Sequence, residues 1–595
     1  SVYGIDEIRK EIEKWPPDVV GDVTGVPEKH MYQAAKTMAE NRPGTIVWCM
    51  GGTQHHTGNN NTRAYCILQL ALGNIGKEGG GANIFRGHDN VQGATDVGPN
   101  SHTLPGYYGL SEGAWKHWAR VWDIDYQWLQ SRFDRSERYD SGDGSLAYTM
   151  NIPGIPVSRW IDGVLEEKEN LSQKDNFRAV FFQGHACNSQ TRGPEMKKAL
   201  EKLEMVVISD PYPTHMAVMS DRKNDTYLLP TCTQFETYGS VTASNRSLQW
   251  REKVIEPLFE ALPDHTIIYK FAKKFGFADR MFKNIKVEND EPLIEDVLRE
   301  INRGAWTIGY TGQSPERLKL HAEHRRSFDT TTLKAEGGPV DGDYYGLPWP
   351  CWGNPGMKHP GTPVLYNTGM PVAEGGLTFR ARFGVQHNGV NILANNSYSK
   401  GSEIKDGYPE FTSDMLKELG WWDDLTGEEK KEAEGRNWKT DLSGGIQRVA
   451  IKHGCAPFGN AKARCIVWQF PDPVPIHREP LYTPRYDLVK KYPTYEDRKS
   501  FWRLPTRYAS IQDEDYSREF PIVFISGRLV EYEGGGGETR SNRWLAKLQP
   551  YMFAEINPAD AYNAGVRDGD WIWLEGPEGG RIKIRDRKST RLNSS

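Results

Sequence analysis

Five polar side chains of complementary chemistry stand close together in one glycine-rich stretch of the chain: Arg86, His88, Asp89, Asn90 and Gln92. A guanidinium binds anions through parallel N–H groups, and an imidazole takes up and releases protons near neutral pH. The glycines between positions 79 and 98 allow tight turns and a close approach to a ligand. We therefore interpret residues 79–98 as one long loop able to bind a small anion, with a solvated surface loop as the equal alternative.

The residues before this loop predict the element that would position it. A short buried strand at 45–50 is followed by a glycine-rich turn and then by a helix at about 61–72. This order predicts half of a doubly wound unit, whose turn lies at the ligand-binding edge of the sheet. His55 and His56 in the turn are adjacent and would face opposite ways on a strand, so we do not expect them to share a metal. The turn also departs from GxGxxG, which argues against an ordinary NAD site.

A second unit of the same kind follows further along the chain. The pattern predicts strands at 178–182, 205–210 and 226–230, with a helix at about 194–203 between the first two. The turns after parallel strands open on one edge, where nucleotide-like ligands bind. Asp210 ends its strand at that edge, where a carboxylate can accept two N–H bonds from a guanine. A turn or helix cap is the alternative role for Asp210.

Helical spacing also predicts a helix at about 27–38 and another that carries Trp115 to Trp122 into a core. Residues 279–515 are rich in Gly, Pro, Trp and charge, and we derive no catalytic role for them. Within them, 428–436 is interpreted as a solvated charged helix.

The last part of the chain has the pattern of a small β-barrel. Strands are predicted at 520–526, 571–574 and 581–584, with glycine-rich turns between them, and the run 553–558 precedes a predicted helix at 559–564. The chain ends before such a barrel could close. Residues 588–595 are basic and polar without apolar periodicity, and we suspect that they are foreign to the fold.

Composition limits the classes of protein that the chain can represent. Its 595 residues, 37% of them hydrophobic, predict several domains, and a net charge of −5 gives no reason to expect a nucleic-acid partner. No apolar run approaches the ~20 residues that span a bilayer. The seven cysteines include no CxxC pair, hence no iron–sulfur or zinc signature, although a Cys455–Cys465 disulfide stays open. The chain starts at Ser1 without a signal-like segment and is interpreted as a fragment.

These residues together resemble a known family. The segments at 50–55 and 86–93 and the terminal barrel pattern resemble the catalytic (alpha or major) subunits of formate dehydrogenases. Those enzymes belong to the molybdopterin oxidoreductases related to dimethyl sulfoxide reductase. The order Arg, Gly, His, any residue, Asn, any residue, Gln, Gly from Arg86 to Gly93 is specific for formate dehydrogenases within that group. Gly527, Arg528 and the run from Thr539 to Ser541 are similar to the family's pterin-contacting segment.

The resemblance implies an α/β fold with doubly wound domains, followed by a truncated C-terminal barrel of the double-psi type. It divides the chain into the end of an α/β domain with the active-site loop, a dinucleotide-binding α/β domain, an irregular continuation, the incomplete barrel and the foreign tail. The corresponding residues are 1–88, 89–278, 279–515, 516–587 and 588–595.

The implied cofactor is a bis-molybdopterin guanine dinucleotide with Mo or W, and the resemblance does not distinguish the two metals. The family's protein ligand to the metal, Cys or selenocysteine, and its N-terminal domain with a [4Fe-4S] cluster would lie upstream of Ser1. No metal ligand is therefore assigned in this chain. We expect the 595-residue chain alone to be inactive.

Site residues carried over from the family fall into two groups. Arg86 would pair with the formate carboxylate, and His88 would move a proton. The residues expected to contact the cofactor are Met50, Gln54, Gly184, Asp210, Glu236, Gly527, Arg528, Thr539, Arg540 and Ser541. The turn after Gly184 departs from the family's commoner Gly-x-Asn-Pro.

The family's partners and location enter as expectations. Formate and CO2 are the implied substrate and product, with a ferredoxin-like iron–sulfur subunit and a membrane cytochrome b as partners. The segment 531–541 is most similar to exported enzymes, which favours a periplasmic, membrane-associated location over a cytoplasmic one. Two alternatives stay open: a thiosulfate or polysulfide reductase of the same fold, and a non-catalytic scaffold like the one in respiratory complex I.

Overall fold

The structure is a computed structural model, and it describes most of the first 346 residues and parts of the remainder. The described residues are 5–55, 58–75, 79–98, 100–110, 112–133, 139–140, 146–171, 175–185, 187, 190, 192–244, 247–305, 314–330, 333–341, 343, 345–346, 386–387, 390–391, 411–413, 417, 420, 422–433, 437–438, 449, 474–478, 480, 482–494, 515–532, 536, 539–577 and 579–587.

The helices, in chain order, are α1 (Ile5–Ile12), α2 (Pro17–Thr24), α3 (Glu28–Glu40), α4 (Met50–Thr53), α5 (Gly58–Ala71), α6 (Val91–Val97), α7 (Glu112–Val121), α8 (Tyr126–Gln130), α9 (Trp160–Leu165), α10 (Gly193–Lys202), α11 (His215–Val218), α12 (Asp264–Phe275), α13 (Ala278–Met281), α14 (Ile294–Gly304), α15 (Pro315–Glu323), α16 (Gly427–Ala433), α17 (Tyr486–Lys491), α18 (Arg543–Leu548) and α19 (Pro558–Ala564).

The strands are β1 (Thr45–Trp48), β2 (Gly81–Ile84), β3 (Tyr139–Asp140), β4 (Leu146–Ala147), β5 (Ala179–Gln183), β6 (Met205–Asp210), β7 (Thr226–Pro230), β8 (Gly239–Thr242), β9 (Leu248–Arg251), β10 (Val287–Glu288), β11 (Glu291–Pro292), β12 (Gln386–His387), β13 (Val390–Asn391), β14 (Phe411–Thr412), β15 (Asn437–Trp438), β16 (Phe553–Ala554), β17 (Trp571–Glu575) and β18 (Arg581–Asp586).

The chain divides into two compact units. The first contains residues 41–49 and 66–468, and the second contains 2–40, 50–65 and 469–595. The four boundaries between the five segments expected from the sequence are not tested by this division and stay a prediction.

The first unit contains two parallel sheets, as the doubly wound pattern predicts. In one of them β1 pairs with β2, with Thr45 opposite Gly81 and Trp48 opposite Ile84. The other has the order β5-β6-β7, and both of its ladders are parallel. The strands expected at 178–182, 205–210 and 226–230 are therefore confirmed within a residue at each end.

An apolar core holds the three-stranded sheet. The β6 side chains from Val206 to Ile208 are buried because helices cover this central strand. Leu200 of α10 is fully buried against them, and α9 contributes Ile161 and Val164 to the same core. Burying each of these large aliphatic side chains stabilises the fold by about 1.5–3 kcal/mol. Pro194 in the first turn of α10 suits a helix start, where no N–H partner is lost.

The tryptophan helix forms a second core, as expected. Trp118 of α7 is fully buried, and its indole Nε1 donates to the Pro105 carbonyl at 3.1 Å. A Cβ on Gly304 of α14 would lie 2.6 Å from the Trp118 ring, so the close approach of the two helices requires glycine there. These tryptophans thus serve packing rather than ligand binding.

The single long loop expected at 79–98 is wrong. Residues Gly81–Ile84 form strand β2 and Val91–Val97 form helix α6, so the irregular part is 85–90. Local sequence does not reveal β2, because a glycine-led strand of four residues is defined by its ladder to β1, some 36 positions earlier (81 − 45). The arginine and the histidine therefore follow the carboxyl end of a parallel strand.

In the second unit, β16, β18 and β17 form a three-stranded sheet in that order. The β17–β18 hairpin is antiparallel, with Trp571 opposite Arg585, which confirms the strands expected at 571–574 and 581–584. Helix α19 confirms the helix at 559–564; Asn557 caps its start and Gly565, in the left-handed conformation, ends it. Closure into a double-psi barrel stays a prediction.

The strand expected at Phe520–Ser526 is wrong. The segment is not part of any strand, and its apolar side chains from Ile522 to Ile525 are exposed, with Ile525 at 84%. A run of Ile, Val and Phe favours a strand, but a strand also needs a partner with which to form hydrogen bonds. No described strand lies along this run.

The remaining expectations concern three helices, two cysteines, the C-terminal tail and membrane-spanning segments. Helices α3, α5 and α16 correspond to the helices expected at 27–38, 61–72 and 428–436. Cys455, Cys465 and the suspected tail at 588–595 lie outside the described residues. Among the described helices, none is long and apolar enough to span a membrane.

Candidate functional site

The connection at 85–90 follows the carboxyl end of β2. The parallel ladder extends one bond further, because the Phe85 N–H donates to the Trp48 carbonyl at 3.0 Å. Beneath it, the buried Gln69 amide donates to the Gly44 carbonyl at 2.9 Å and also to the Gly81 carbonyl, which ties the starts of both strands to α5. The connection therefore starts from a fixed strand end, where parallel sheets bind ligands.

Arg86 is half-buried, and helix α6 holds its guanidinium. One terminal nitrogen, Nη1, donates to Gln92 Oε1 at 3.2 Å and to Thr95 Oγ1 at 2.9 Å. Gln92 in turn donates through Nε2 to Oδ1 of Asp96 at 2.8 Å, and Asp96 is fully buried. The arginine thus has a defined orientation, set by acceptors from the next helix.

The β8–β9 hairpin forms hydrogen bonds with the same connection. Asn90 adopts the left-handed conformation with φ 59°, and its Oδ1 accepts the Thr242 backbone N–H at 3.0 Å. The Arg86 N–H donates to Ser244 Oγ at 3.4 Å. A Cβ on Gly93 would collide with Asn90 Oδ1, so glycine is required where α6 meets the hairpin.

His88 and Asp89 lie between Arg86, which α6 holds, and Asn90, which bonds to the hairpin, and both are exposed. A held guanidinium and an exposed imidazole two residues apart can bind a small carboxylate and exchange a proton with solvent. The structure thus places Arg86 and His88 on one short connection, as the sequence suggests. Their catalytic roles stay predictions.

Gly184 and Asp210 lie at the carboxyl edge of the β5-β6-β7 sheet. Gly184 is exposed with φ 59°, and its N–H donates to the Ser209 carbonyl at 2.9 Å. Asp210 Oδ1 accepts the Tyr212 N–H at 3.1 Å, which is the turn-capping role named as its alternative. A carboxylate has further lone pairs, so this bond is compatible with a ligand contact. Both assignments stay predictions.

Glu236 has a structural role that the sequence does not reveal. Its carboxylate is buried and accepts the Thr233 N–H and hydroxyl at 2.8 Å each and the Leu258 N–H at 2.6 Å. The Thr233 backbone bond is the largest of the causes that lower the pKa of Glu236 against the opposing effect of burial. Glu236 therefore ties two turns together, and its expected contact with a cofactor is untested.

Two polar side chains of the turn after β5, His185 and Gln190, make hydrogen bonds within the protein. Burial lowers the pKa of His185, so its imidazole is neutral at pH 7 and its Nε2 can accept from Gln190 Nε2 at 3.3 Å. Gln190 Oε1 accepts the indole N–H of Trp160 at 3.1 Å. Burial also raises the pKa of the Cys187 thiol to about 12, which keeps it protonated and unreactive.

In the second unit, two expected cofactor residues far apart in sequence are in contact. Arg528 Nη2 donates to Met50 Sδ at 3.5 Å, although 478 positions separate them. The Gln54 N–H donates to the Met50 carbonyl at 2.8 Å, which ends α4, and the Gln54 side chain is exposed. Met50, Gln54 and Arg528 thus belong to one unit, with a guanidinium and an amide directed outward.

The run from Thr539 to Ser541 forms a single 3₁₀ turn ahead of α18. The Thr539 carbonyl accepts the Asn542 N–H at 3.1 Å, and Asn542 Oδ1 caps α18 by accepting from Trp544 and Leu545. Gly527 is exposed next to Arg528. The side chain of Arg540 lies outside what the structure describes.

Sequence reasoning missed the residues that position the arginine. Thr95, Asp96, Thr242 and Ser244 were assigned no role, although Gln92 and Asp96 are spaced four apart, as facing side chains on a helix are. That spacing would have revealed the contact only if 91–97 had been interpreted as a helix. Within the described part of the chain, no group of three or more His, Cys, Asp or Glu side chains could hold a metal ion.

Comparison with known proteins places the chain. Residues 28–274 match the model of the molybdopterin oxidoreductase family, and residues 522–594 match that of the molydopterin dinucleotide binding domain. The chain therefore carries two domains that are characteristic of molybdopterin oxidoreductases.

Its curated relatives include several formate dehydrogenases. The alpha subunit of formate dehydrogenase 2 (cytochrome c-553) from Nitratidesulfovibrio vulgaris is 25% identical over 96% of this chain and 57% of its own length. The formate dehydrogenase alpha subunit from Megalodesulfovibrio gigas is 24% identical over 96% of this chain and 58% of its own length. Formate dehydrogenase H from Escherichia coli is 30% identical over 46% of this chain and 34% of its own length. The chain therefore spans between about a third and three fifths of the length of these relatives.

Among solved structures, acetylene hydratase from Pelobacter acetylenicus covers 99% of this chain and 57% of its own, with 15% identity and a TM-score of 0.49. That likeness is too weak to support any inference about function.

Proposed function

We propose that this chain is the catalytic portion of a formate dehydrogenase, which oxidises formate to carbon dioxide. The observation that carries the proposal is the Arg86 guanidinium, held by Gln92 and Thr95 at the carboxyl end of a parallel strand with the exposed His88 beside it. The similarity to three formate dehydrogenase subunits supports it.

Oxidation of formate releases carbon dioxide, one proton and two electrons. A guanidinium pairs with a carboxylate through two parallel charge-assisted hydrogen bonds, so Arg86 would bind both formate oxygens and fix the direction of the C–H bond. His88 is exposed and can take up the proton and pass it to solvent. Arg86 also favours the carboxylate over a neutral molecule of the same size.

The described residues fit a pterin dinucleotide cofactor. Arg528 and Gln54 direct a cation and an amide outward from the second unit, which suits the carbonyl, ring and phosphate oxygens of such a group. In the first unit the carboxylate of Asp210 and the exposed backbone of Gly184 offer an acceptor and a close approach to a guanine. The cofactor, when bound with its Mo or W, would supply the acceptor of the two electrons.

The partners and the location belong to the same proposal. Iron–sulfur clusters would carry the two electrons away, so we expect a ferredoxin-like iron–sulfur subunit as a partner. We further expect a membrane cytochrome b subunit and a periplasmic, membrane-associated location. Two of the relatives are named as alpha subunits, which supports the expectation that this chain has partner subunits.

One experiment separates an enzyme from a scaffold subunit. The holoenzyme is purified and analysed for Mo, W and pterin, and formate-dependent reduction of an artificial electron-acceptor dye is measured for wild type, Arg86→Ala and Ala94→Ser. Ala94 is exposed on α6 and serves as the control. We expect metal, pterin and turnover in wild type and control, and loss of turnover with the cofactor retained in Arg86→Ala. A purified protein with neither metal nor pterin would indicate a scaffold and overturn the proposal.

A further inference from the structure

We propose that Gln92, Thr95 and Asp96 form a positioning relay that commits one side of the Arg86 guanidinium and leaves the other for a carboxylate substrate. The relay deepens the proposed function and rests on it. Gln92 is part of the sequence motif, but neither that motif nor the comparisons assign a positioning role to any of the three residues.

The first arm of the relay fixes which end of the Gln92 amide faces the arginine. An amide can present either its oxygen or its NH2 group, and only the oxygen can accept from a guanidinium. The Gln92 Nε2 group donates to the carboxyl oxygen Oδ1 of Asp96 at 2.8 Å, and that oxygen can only accept. Oε1 is therefore directed to Arg86 Nη1, at 3.2 Å.

The second arm fixes the direction of the Thr95 hydroxyl. Oγ1 lies 3.0 Å from the Val91 carbonyl and 3.0 Å from the Gln92 carbonyl, one turn earlier on α6, and donates its single proton to them. The lone pairs of Oγ1 are then available to Arg86 Nη1 at 2.9 Å. The bonds to Asp96 and to the helix backbone thus ensure that Gln92 and Thr95 each present an accepting oxygen to Arg86.

Burial gives the relay its strength. Gln92 is 6% exposed and Asp96 0%, so water does not compete for these hydrogen bonds as it would at the surface. The same burial means that an amide presented the wrong way round would leave two N–H groups facing each other without an acceptor.

The consequence concerns the geometry of substrate binding. Nη1 carries two N–H groups, and the relay occupies both of them. Among the described residues, no hydrogen bond to Nε or Nη2 of Arg86 is present. Those two nitrogens carry the parallel N–H pair along one edge of the guanidinium, which matches a carboxylate in a bidentate, side-on arrangement. The relay therefore selects that edge for the substrate.

A charge swap tests the relay in the holoenzyme. Gln92→Glu places two carboxylates side by side, and Asp96→Asn removes the group that sets the amide direction. In the double variant Gln92→Glu/Asp96→Asn, the new asparagine can donate to the new glutamate, which still accepts from Arg86. We expect each single variant to lower kcat/KM for formate ~10-fold, mainly through KM, and the double variant to recover to within ~3-fold of wild type.

A second measurement needs no bound cofactor. Arg86 in the 595-residue chain is labelled with phenylglyoxal and followed by mass spectrometry, with Arg132 as the internal reference and Ala94→Ser as the control. Labelling of Arg86 should be ~3-fold faster in Asp96→Asn than in wild type, because the guanidinium is no longer held, and should return toward the wild-type rate in the double variant. Thermal unfolding of each variant shows whether the fold is intact.

The outcomes distinguish the relay from the proposed function. If Arg86→Ala leaves formate turnover unchanged, the proposed function fails and the relay with it. If Arg86→Ala abolishes turnover while the single variants match Ala94→Ser, only the relay is overturned. A double variant no better than the single ones, with unchanged melting temperatures, also counts against it.

Discussion

The segments after β2 and after β5 both connect the carboxyl end of a parallel strand to a helix, yet the polar side chains that the structure describes in them differ in their surroundings. In the first, at 85–90, His88 is exposed and Arg86 is half-buried with one edge held by α6. In the second, at 184–192, Gln190 joins His185 to Trp160, and Cys187 is buried.

The difference lies in what each segment packs against. The first is backed by side-chain acceptors of α6 and by the β8–β9 hairpin, so its charged groups are oriented without being enclosed. The second is backed by the apolar core of α9 and α10, so its imidazole is held neutral, and among its described residues the backbone at Gly184 is exposed. This difference supports the proposal that the first segment would bind an anion through side chains and that the second would bring backbone close to a ligand.

The largest expected effect tests the first segment. Arg86→Lys keeps the positive charge but loses the parallel N–H pair, so kcat/KM for formate should fall ~10²-fold or more. Steady-state kinetics of the holoenzyme measure it, with Ala94→Ser as the control. A lysine variant within twofold of wild type would show that charge alone, rather than a held fork, is what this segment provides.

The next effect tests the anchoring of the second segment. Arg192, where that segment meets α10, bonds to the buried Asp162 at 2.7 Å, and Arg159 bonds to the same carboxylate at 2.6 Å. Burial opposes ionisation of Asp162, but the two arginines outweigh it and lower the pKa. Asp162→Asn should reduce the free energy of unfolding by about 2 kcal/mol, measured by urea unfolding.

The exposed pair Arg178–Glu204, also within bonding distance at 2.7 Å, supplies the matched comparison. Glu204→Gln should leave the urea midpoint unchanged, since water screens that pair. Equal effects of the two substitutions would mean that burial does not distinguish them and that Asp162 is not an anchor.

A smaller effect tests the hydrogen bonding between the β8–β9 hairpin and the first segment. Gly93→Ala would place a methyl group against Asn90 Oδ1, displacing it from the Thr242 N–H. The loss of that bond should destabilise the first unit by about 1 kcal/mol and raise amide exchange at 85–90, measured by hydrogen–deuterium exchange. Gly109→Ala, where a Cβ meets nothing within 4 Å, is the control. Unchanged exchange at 85–90 would show that the hairpin is not needed to hold the segment.

The smallest effect is a pH dependence of the second segment. Burial holds the folded-state pKa of His185 below its ordinary value of ~6.5, so on acidification the unfolded chain binds the proton first. Stability is therefore full above pH ~6.5 and falls as the pH is lowered toward and through the folded-state pKa. Between pH 7 and 5 the melting temperature of wild type should fall more than that of His185→Gln. Parallel curves would mean that His185 is not held neutral.

The sequence predicted one of these segments better than the other, for a physical reason. Apolar strands such as β6 reveal themselves by composition, and the helix α10 by its spacing, so the sheet behind Gly184 was found. Strand β2 was missed because Gly81–Ile84 has no strand-like composition and exists through its ladder to β1. The opposite error at Phe520–Ser526, where strand-like residues do not form a strand, has the same cause.

The candidate site divides in the same way. Arg86, His88, Met50 and Arg528 were predicted from short segments that resemble a family, because residue type and spacing suffice for such a match, and their roles stay predictions. The internal role of Glu236 could not be foreseen, because it depends on turns that tertiary packing brings together. Nor could the contact between Met50 and Arg528 be deduced from their positions.

By itself the sequence determined which strands are apolar, which groups have the chemistry that suits an anion, and which domain families the chain matches. Only the tertiary structure decided the orientation of Arg86, because the direction of a guanidinium depends on the acceptors opposite it. Those acceptors, Gln92 and Thr95, became neighbours of the arginine when 91–97 formed a helix, and the buried Asp96 set the polarity of the amide between them.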